Sequence, residues 1–169
     1  MNLQRLSDYF DQNEIRLATA ESCTAGLIAT TLGDLPGCGS WFECGFVTYS
    51  PQAKFRALGV QPETVERCNL TSEQVAREMA EGALRNSRAN VAVSNTGLAG
   101  PSNGDSDIPV GTVCFAWGFE HNGVSVVYSE TRRFDGDRNE IRRQAADYAI
   151  ERIPHYYEQL PGGVLQRFG

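Results

Sequence analysis

The hydrophobic residues of this chain recur alternately at helical and at strand spacing. Leu3, Leu6 and Phe10 share one face of a predicted N-terminal helix, and the apolar run 15–20 after it predicts a first strand. A capping-box pattern at 71–74 predicts the start of a long amphipathic helix. The other predicted elements in this part of the chain are helices at 27–32 and 51–58 and strands at 42–49 and 91–96.

A β-hairpin is predicted late in the chain. Two β-rich runs, 111–119 and 124–134, are separated by Asn122-Gly123, a dipeptide typical of tight hairpin turns. A second capping box, from Asp137 to Glu140, opens another long helix. This order indicates an α/β fold with three α/β/α layers around a mostly parallel sheet of about five strands. We expect a single domain over residues 1–160 and a loose tail over 161–169.

Composition and charge exclude several classes of protein. Hydrophobic residues make up 41% of the chain, charged residues 21%, and the formal net charge is −6. No apolar run is long enough to span a membrane, and residues 1–13 are too polar for a signal peptide. We therefore expect a cytoplasmic protein with no membrane partner. The negative charge also argues against nucleic acid as a partner, although a local arginine cluster could hold one small anion.

Lys54 is the only lysine among 169 residues, whereas arginine occurs 14 times. Arginine can replace lysine at most exposed sites, but it keeps its proton, and only a lysine can be tuned to act as a base. Ser50 and Pro51 form a strong helix start, which places Lys54 about one turn inside a helix. Its apolar neighbours Phe55 and Leu58 would disfavour the ammonium form. The alternative at this point is a surface lysine retained by chance.

Three polar or glycine-rich stretches each follow a predicted strand. Ser22 comes after the first strand, the segment 49–54 after the second, and the glycine-rich loop 96–107 after the third. Open α/β sheets bind ligands outside the carboxyl ends of their parallel strands, so we expect these stretches to meet at one site. The step from the first strand into a helix also gathers backbone N–H groups and hydroxyls, which suits an anion or an oxyanion.

These groups are the parts of a serine/lysine hydrolase. His121, in the predicted hairpin turn, and His155, near the end of the last predicted helix, are not placed for a Ser-His-Asp triad. The five cysteines include no C-x-x-C pair, which argues against a zinc site or a disulfide framework. Cys23 remains a weaker candidate nucleophile beside Ser22. We expect no metal and no cofactor.

Three ordered motifs carry a resemblance to a known family, and they lie at 20–26, at 41–54, and at 97–101 together with 109–113. They resemble the CinA C-terminal domain family, whose stand-alone members include nicotinamide-nucleotide amidases. The resemblance implies hydrolysis of the carboxamide of nicotinamide mononucleotide, giving nicotinate mononucleotide and ammonia in pyridine-nucleotide salvage. It implies a small-molecule mononucleotide as partner, and it leaves a homo-oligomer open because family members are often oligomeric.

The resemblance also implies roles for individual residues. Ser22 would be the nucleophile, Lys54 its base and Tyr49 a neighbour of this dyad, while backbone N–H groups near Cys23 and Thr24 would hold the oxyanion. Further substrate contacts for ribose and phosphate are implied for Thr96, Gly97, Gly100 and Arg142.

Two residues depart from the family pattern. Ala25 stands where glycine is usual, which is tolerated unless the backbone there needs a positive φ. Pro51 stands where asparagine is usual, and it removes a side-chain amide and a backbone donor near the dyad. Two alternatives to the amidase therefore stay open: a catalytically silent module that binds a nucleotide or regulates a partner, and an amidase for a different amide.

Overall fold

The structure is a computed structural model that describes residues 3–104 and 106–161. Its helices are Leu3–Gln12 (α1), Leu27–Gly33 (α2), Pro51–Leu58 (α3), Pro62–Cys68 (α4), Glu73–Arg85 (α5), Arg138–Glu151 (α6) and Ile153–Tyr157 (α7). Its strands are Leu17–Glu21 (β1), Phe42–Val47 (β2), Val91–Gly97 (β3), Thr112–His121 (β4) and Val124–Arg133 (β5). The tail predicted at 161–169 lies outside the described residues, except for Pro161. None of the described helices is long and apolar enough to cross a membrane.

The five described strands form one sheet in the order β2-β1-β3-β4-β5. Strand β1 pairs in parallel with β2 and β3, while β4 pairs antiparallel with β3 and with β5. Only β4 of these five strands therefore runs against the others. This confirms the predicted α/β fold with a mostly parallel sheet and a late antiparallel hairpin.

The two faces of the sheet carry side chains of different size. Large residues fill the face that packs against α1, α2, α6 and α7, among them Leu17, Val91, Val93, Phe115 and Trp117. Small residues fill the face beneath α5, among them Ala18, Ala20, Ala92 and Ala116. Small side chains let α5 lie close to its neighbours, and at Gly82 a Cβ would overlap the Leu58 carbonyl of α3. Helix α3, which carries Lys54, is thereby held against α5.

The helix starts agree with the sequence in one case and differ in another. At α6, the Asp137 carboxylate accepts the Glu140 N–H, and the Glu140 carboxylate accepts the Asp137 N–H, so the predicted capping box is confirmed. At α5 the cap is Ser72, whose hydroxyl accepts the Val75 N–H. The capping box predicted at 71–74 is therefore wrong. The helix begins one residue later, which places Val75 at the third helical position, where a capping box requires Glu or Gln.

Candidate active site

The side chains of Ser22 and Lys54 meet at the carboxyl end of β1. Ser22 directly follows that strand, and Lys54 lies in the first turn of α3, which Ser50 caps by accepting the Ala53 N–H at 3.1 Å. The Lys54 Nζ is 2.9 Å from the Ser22 Oγ. Lys54 is 1% exposed and Ser22 is 8% exposed, so their contact is shielded from bulk water. A hydroxyl and an amine in this arrangement can act as a nucleophile and its base.

The protonation state of Lys54 is set mainly by its burial. Burial lowers the pKa of its amine to about 8, and the neighbouring Cys23 opposes this shift only in part. Two backbone carbonyls also face the amine, at 2.6 Å from Thr48 and 3.3 Å from Tyr49, because β2 ends at Val47 rather than at the predicted residue 49. A neutral amine that donates its two N–H groups to these carbonyls keeps its lone pair for Ser22.

The start of α2 is occupied by a carboxylate of the protein itself. Glu21 is 0% exposed, and its carboxylate accepts the backbone N–H groups of Gly26 at 2.9 Å, Ile28 at 3.1 Å and Ala29 at 2.8 Å. Glu21 therefore already neutralises the positive end of this helix, and the predicted site for an anion or an oxyanion at the step from β1 into α2 stays a prediction. A signal was present in the sequence, since Glu21 is an acidic residue directly after the predicted first strand.

A buried hydrogen-bond chain runs beneath Ser22. The Thr24 hydroxyl donates to Glu21 at 2.7 Å, and the Asn95 amide donates to the Thr24 Oγ1 at 2.8 Å. The Cys23 thiol donates to the Asn95 Oδ1 at 3.3 Å. Burial raises the pKa of the Cys23 thiol to about 12, so the thiol stays protonated and is a poor nucleophile. The Thr24 side chain is therefore committed to the protein interior, and only its backbone can face a substrate.

A pocket of about 210 Å³ opens onto the Ser22–Lys54 pair. Six residues singled out in the sequence line it, namely Ser22, Cys23, Tyr49, Lys54, Thr96 and Gly97. Leu98 and Ser106, from the glycine-rich loop that was expected at the site, line it too. Three further lining residues were not foreseen, namely Asn69, Leu70 and Thr71. They belong to the loop before α5, which is held in place by the Thr96 hydroxyl, a donor to the Leu70 carbonyl at 2.8 Å. At Gly97 a Cβ would lie 2.7 Å from the Thr112 carbonyl oxygen, so this wall requires glycine.

Three of the sequence-predicted residues do not line this pocket, namely Thr24, Gly100 and Arg142. The Arg142 guanidinium instead donates to the carbonyls of Cys23 and Thr24, at 3.0 Å each, and so supports the turn that carries Ser22. The Gly100 carbonyl accepts a hydrogen bond at 2.5 Å from Arg138, the first residue of α6. Asn95 and the contacts of Arg138 are thus two features near the site that the sequence did not reveal.

The two departures from the family pattern have different structural consequences. Pro51 is the first residue of α3, where a backbone N–H would have no partner within the helix, so proline fits there. Ala25 is exposed, but its backbone has a φ of 50°, in the left-handed region that disfavours side chains with a Cβ. Ala25 is therefore the strained residue of the turn between Ser22 and α2.

Ala25→Gly should raise the free energy of unfolding by about 0.5–1 kcal/mol. Glycine removes a left-handed backbone strain of about 1–2 kcal/mol, but part of this gain is lost because glycine gives the unfolded chain more conformational entropy. Urea denaturation monitored by circular dichroism measures the change. Ala57→Gly within α3 is the matched control, and it should destabilise by about 1 kcal/mol. Equal destabilisation by both substitutions would contradict the assignment of strain to Ala25.

Comparisons with known proteins agree with this fold. A family model described as the CinA C-terminal domain matches residues 2–157. The nicotinamide-nucleotide amidohydrolase PncC of Escherichia coli strain K12 is 46% identical over 137 residues, which cover 81% of this chain and 81% of that protein. The protein of the same name from Pseudomonas putida is 43% identical over 147 residues, covering 87% and 89%. A crystal structure of a CinA superfamily protein from Escherichia coli superposes with a TM-score of 0.85 at 35% identity, covering 91% of this chain and 87% of that one. The chain therefore belongs to the CinA C-terminal domain family.

Proposed function

We propose that the chain hydrolyses the carboxamide of nicotinamide mononucleotide, releasing ammonia and nicotinate mononucleotide for pyridine-nucleotide salvage. The observation that carries this proposal is the 2.9 Å contact between the Lys54 Nζ and the Ser22 Oγ beside a pocket of about 210 Å³. The names of the relatives from Escherichia coli and Pseudomonas putida, nicotinamide-nucleotide amidohydrolase, support the choice of substrate.

The first half of the reaction acylates Ser22. Its Oγ attacks the carboxamide carbon while the neutral Lys54 amine takes the hydroxyl proton. The negative charge that develops on the carboxamide oxygen is held by the backbone N–H groups of Cys23 and Thr24. The N–H groups of Ala25, Gly26, Ile28 and Ala29, by contrast, are engaged by the Ser22 carbonyl and the Glu21 carboxylate. The C–N bond then breaks as Lys54 returns the proton to the leaving nitrogen, which departs as ammonia.

The second half releases the acid. A water molecule attacks the carbon of the Ser22 ester, and Lys54 takes one proton from that water. The ester C–O bond breaks, the proton passes from Lys54 to the Ser22 Oγ, and nicotinate mononucleotide leaves. Since Lys54 acts as base and then as acid in each half, a pKa near neutrality suits it better than the ordinary value of a lysine.

The pocket mouth suits a flat cationic ring. Tyr49 lines the pocket and is 58% exposed, so one face of its ring is open to solvent. The pyridinium ring of nicotinamide mononucleotide is flat and positively charged, and such a ring is attracted to the face of an aromatic side chain. Tyr49 would then flank the ring, with the carboxamide directed at Ser22.

The proposal is tested by incubating the purified chain with nicotinamide mononucleotide and measuring ammonia and nicotinate mononucleotide in equal amounts. Nicotinamide riboside, which lacks the phosphate, and free nicotinamide serve as matched comparison compounds and should react more slowly. Saturable binding of the mononucleotide without ammonia would favour the silent binding module instead. Faster hydrolysis of an unrelated amide would indicate an amidase of different specificity.

A further inference from the structure

One arginine at the start of α6 reaches a pocket-lining tyrosine and the glycine-rich loop of the candidate active site. The Arg138 Nη2 donates to the Tyr49 hydroxyl at 2.7 Å, and its Nη1 donates to the Gly100 carbonyl at 2.5 Å. Tyr49 belongs to the segment after β2, and Gly100 belongs to the loop after β3. We call these three residues, Arg138, Tyr49 and Gly100, the Arg138 clasp.

The position of Arg138 in its helix is unfavourable for a cation. It is the first residue of α6, where the helix dipole is positive and disfavours a guanidinium. The two acidic residues closest to it in sequence, Asp137 and Glu140, are committed to the capping box. The hydrogen bonds to Tyr49 and Gly100 therefore compensate for this placement, and the planar guanidinium is suited to holding two acceptors at once.

Tyr49 accepts one hydrogen bond at its backbone carbonyl and another at its hydroxyl. Its backbone carbonyl accepts a hydrogen bond at 3.3 Å from Lys54, the proposed base, and its hydroxyl accepts from Arg138. The ring between these points is mostly exposed and lines the pocket, so no packed core fixes it. A tyrosine hydroxyl that accepts from a guanidinium keeps its own O–H free as a donor.

We propose that Arg138 is a positioning residue that holds the Tyr49 ring and the loop 97–100 around the substrate. The proposal rests on the proposed function, since it concerns how the same pocket binds its substrate. Arg138 acts through Tyr49 and the loop and does not touch the Ser22–Lys54 pair. Its loss should raise KM more than it lowers kcat, because the dyad remains intact while the pocket wall loosens.

The kinetic test is a double-mutant cycle of Arg138→Ala and Tyr49→Phe, with ammonia release from nicotinamide mononucleotide as the readout. Arg138→Ala should lower kcat/KM about tenfold, as expected for losing a hydrogen bond to a charged group, with most of the change in KM. The same substitution should cost clearly less in the Tyr49→Phe protein, because the hydroxyl acceptor is already absent. Arg138→Lys should retain the defect, since a single ammonium restores the charge but not the bridge between two acceptors.

The matched control is Arg143→Ala, which removes the same charge from the same helix. Arg143 is exposed and lines a separate open groove with Asp135 and Asp147, so kcat/KM should stay within about twofold of the wild type, the change expected of a surface substitution. Full recovery by Arg138→Lys, or independent and additive losses in the cycle, would overturn the positioning role.

A second measurement separates this proposal from the proposed function. Amide hydrogen exchange of the loop 97–100, recorded without substrate, should be faster in Arg138→Ala and unchanged in Arg143→Ala. If the wild type releases no ammonia from the mononucleotide, the proposed function fails, and the exchange result alone decides whether the clasp exists. Exchange that is identical in all three proteins would overturn the clasp, whatever the substrate is.

Discussion

Lys54→Arg should lower kcat/KM for ammonia release from nicotinamide mononucleotide by at least about 10³-fold, within the range associated with losing a general base. The substitution keeps the positive charge, but a guanidinium with a pKa above about 12 cannot accept the Ser22 proton near neutral pH. The measurement is a steady-state ammonia assay on the purified variant. Wild-type turnover by Lys54→Arg would eliminate the lysine-base mechanism.

Two controls keep this result interpretable. The first is Arg56→Lys, which replaces an exposed arginine of the same helix by lysine. It should leave both activity and thermal stability unchanged. A pH profile of the wild type supplies the second control. Because the base must be neutral and burial lowers its pKa to about 8, kcat/KM should rise about tenfold per pH unit below pH 8 and level off above it.

Ser22→Ala should abolish turnover, with a loss of at least about 10⁴-fold, because removing a covalent nucleophile leaves only the catalysis supplied by binding and by the oxyanion donors. The smaller side chain leaves the pocket open, so saturable binding of nicotinamide mononucleotide should persist and can be measured by calorimetry. Turnover of Ser22→Ala at the wild-type rate would require another nucleophile.

Cys23→Ser is the matched control for Ser22→Ala. It replaces the neighbouring thiol by a hydroxyl that can still donate to the Asn95 Oδ1. Since the Cys23 thiol stays protonated in its buried position, turnover should remain within about tenfold of the wild type. A complete loss in Cys23→Ser together with activity in Ser22→Ala would transfer the nucleophilic role to the cysteine.

The features that sequence reasoning predicted correctly depend on signals local to a few residues. The Asn122-Gly123 turn joins two antiparallel strands, and Ser50 with Pro51 begins the helix of Lys54, as predicted. The meeting of Ser22 with Lys54 followed from a rule of topology, since Ser22 directly follows β1, Lys54 lies in the helix that follows β2, and these parallel strands are neighbours in the sheet. Such rules need only the order of strands and helices.

The features that were missed depend on packing between distant segments. No sequence pattern places Asn69, Leu70 and Thr71 in the pocket wall, where the hydrogen bond from the Thr96 hydroxyl to the Leu70 carbonyl holds their loop. The arginines of α6 illustrate a second limit. Arg138 and Arg142 are four residues apart and face the same side of the helix, so the sequence alone cannot assign one to Tyr49 and the other to the Ser22 turn.

The burial of Lys54 has a consequence for the chemistry of the whole surface. As the chain contains no other lysine, the positive side chains that it presents to solvent are arginines, and its single side-chain amine lies at the floor of the pocket. Reagents that acylate or alkylate amines therefore find no lysine on the exterior. Any lysine adduct would have to form inside the pocket. Covalent labelling of this amine would therefore report directly on how accessible the pocket is to small molecules and on whether a ligand blocks it.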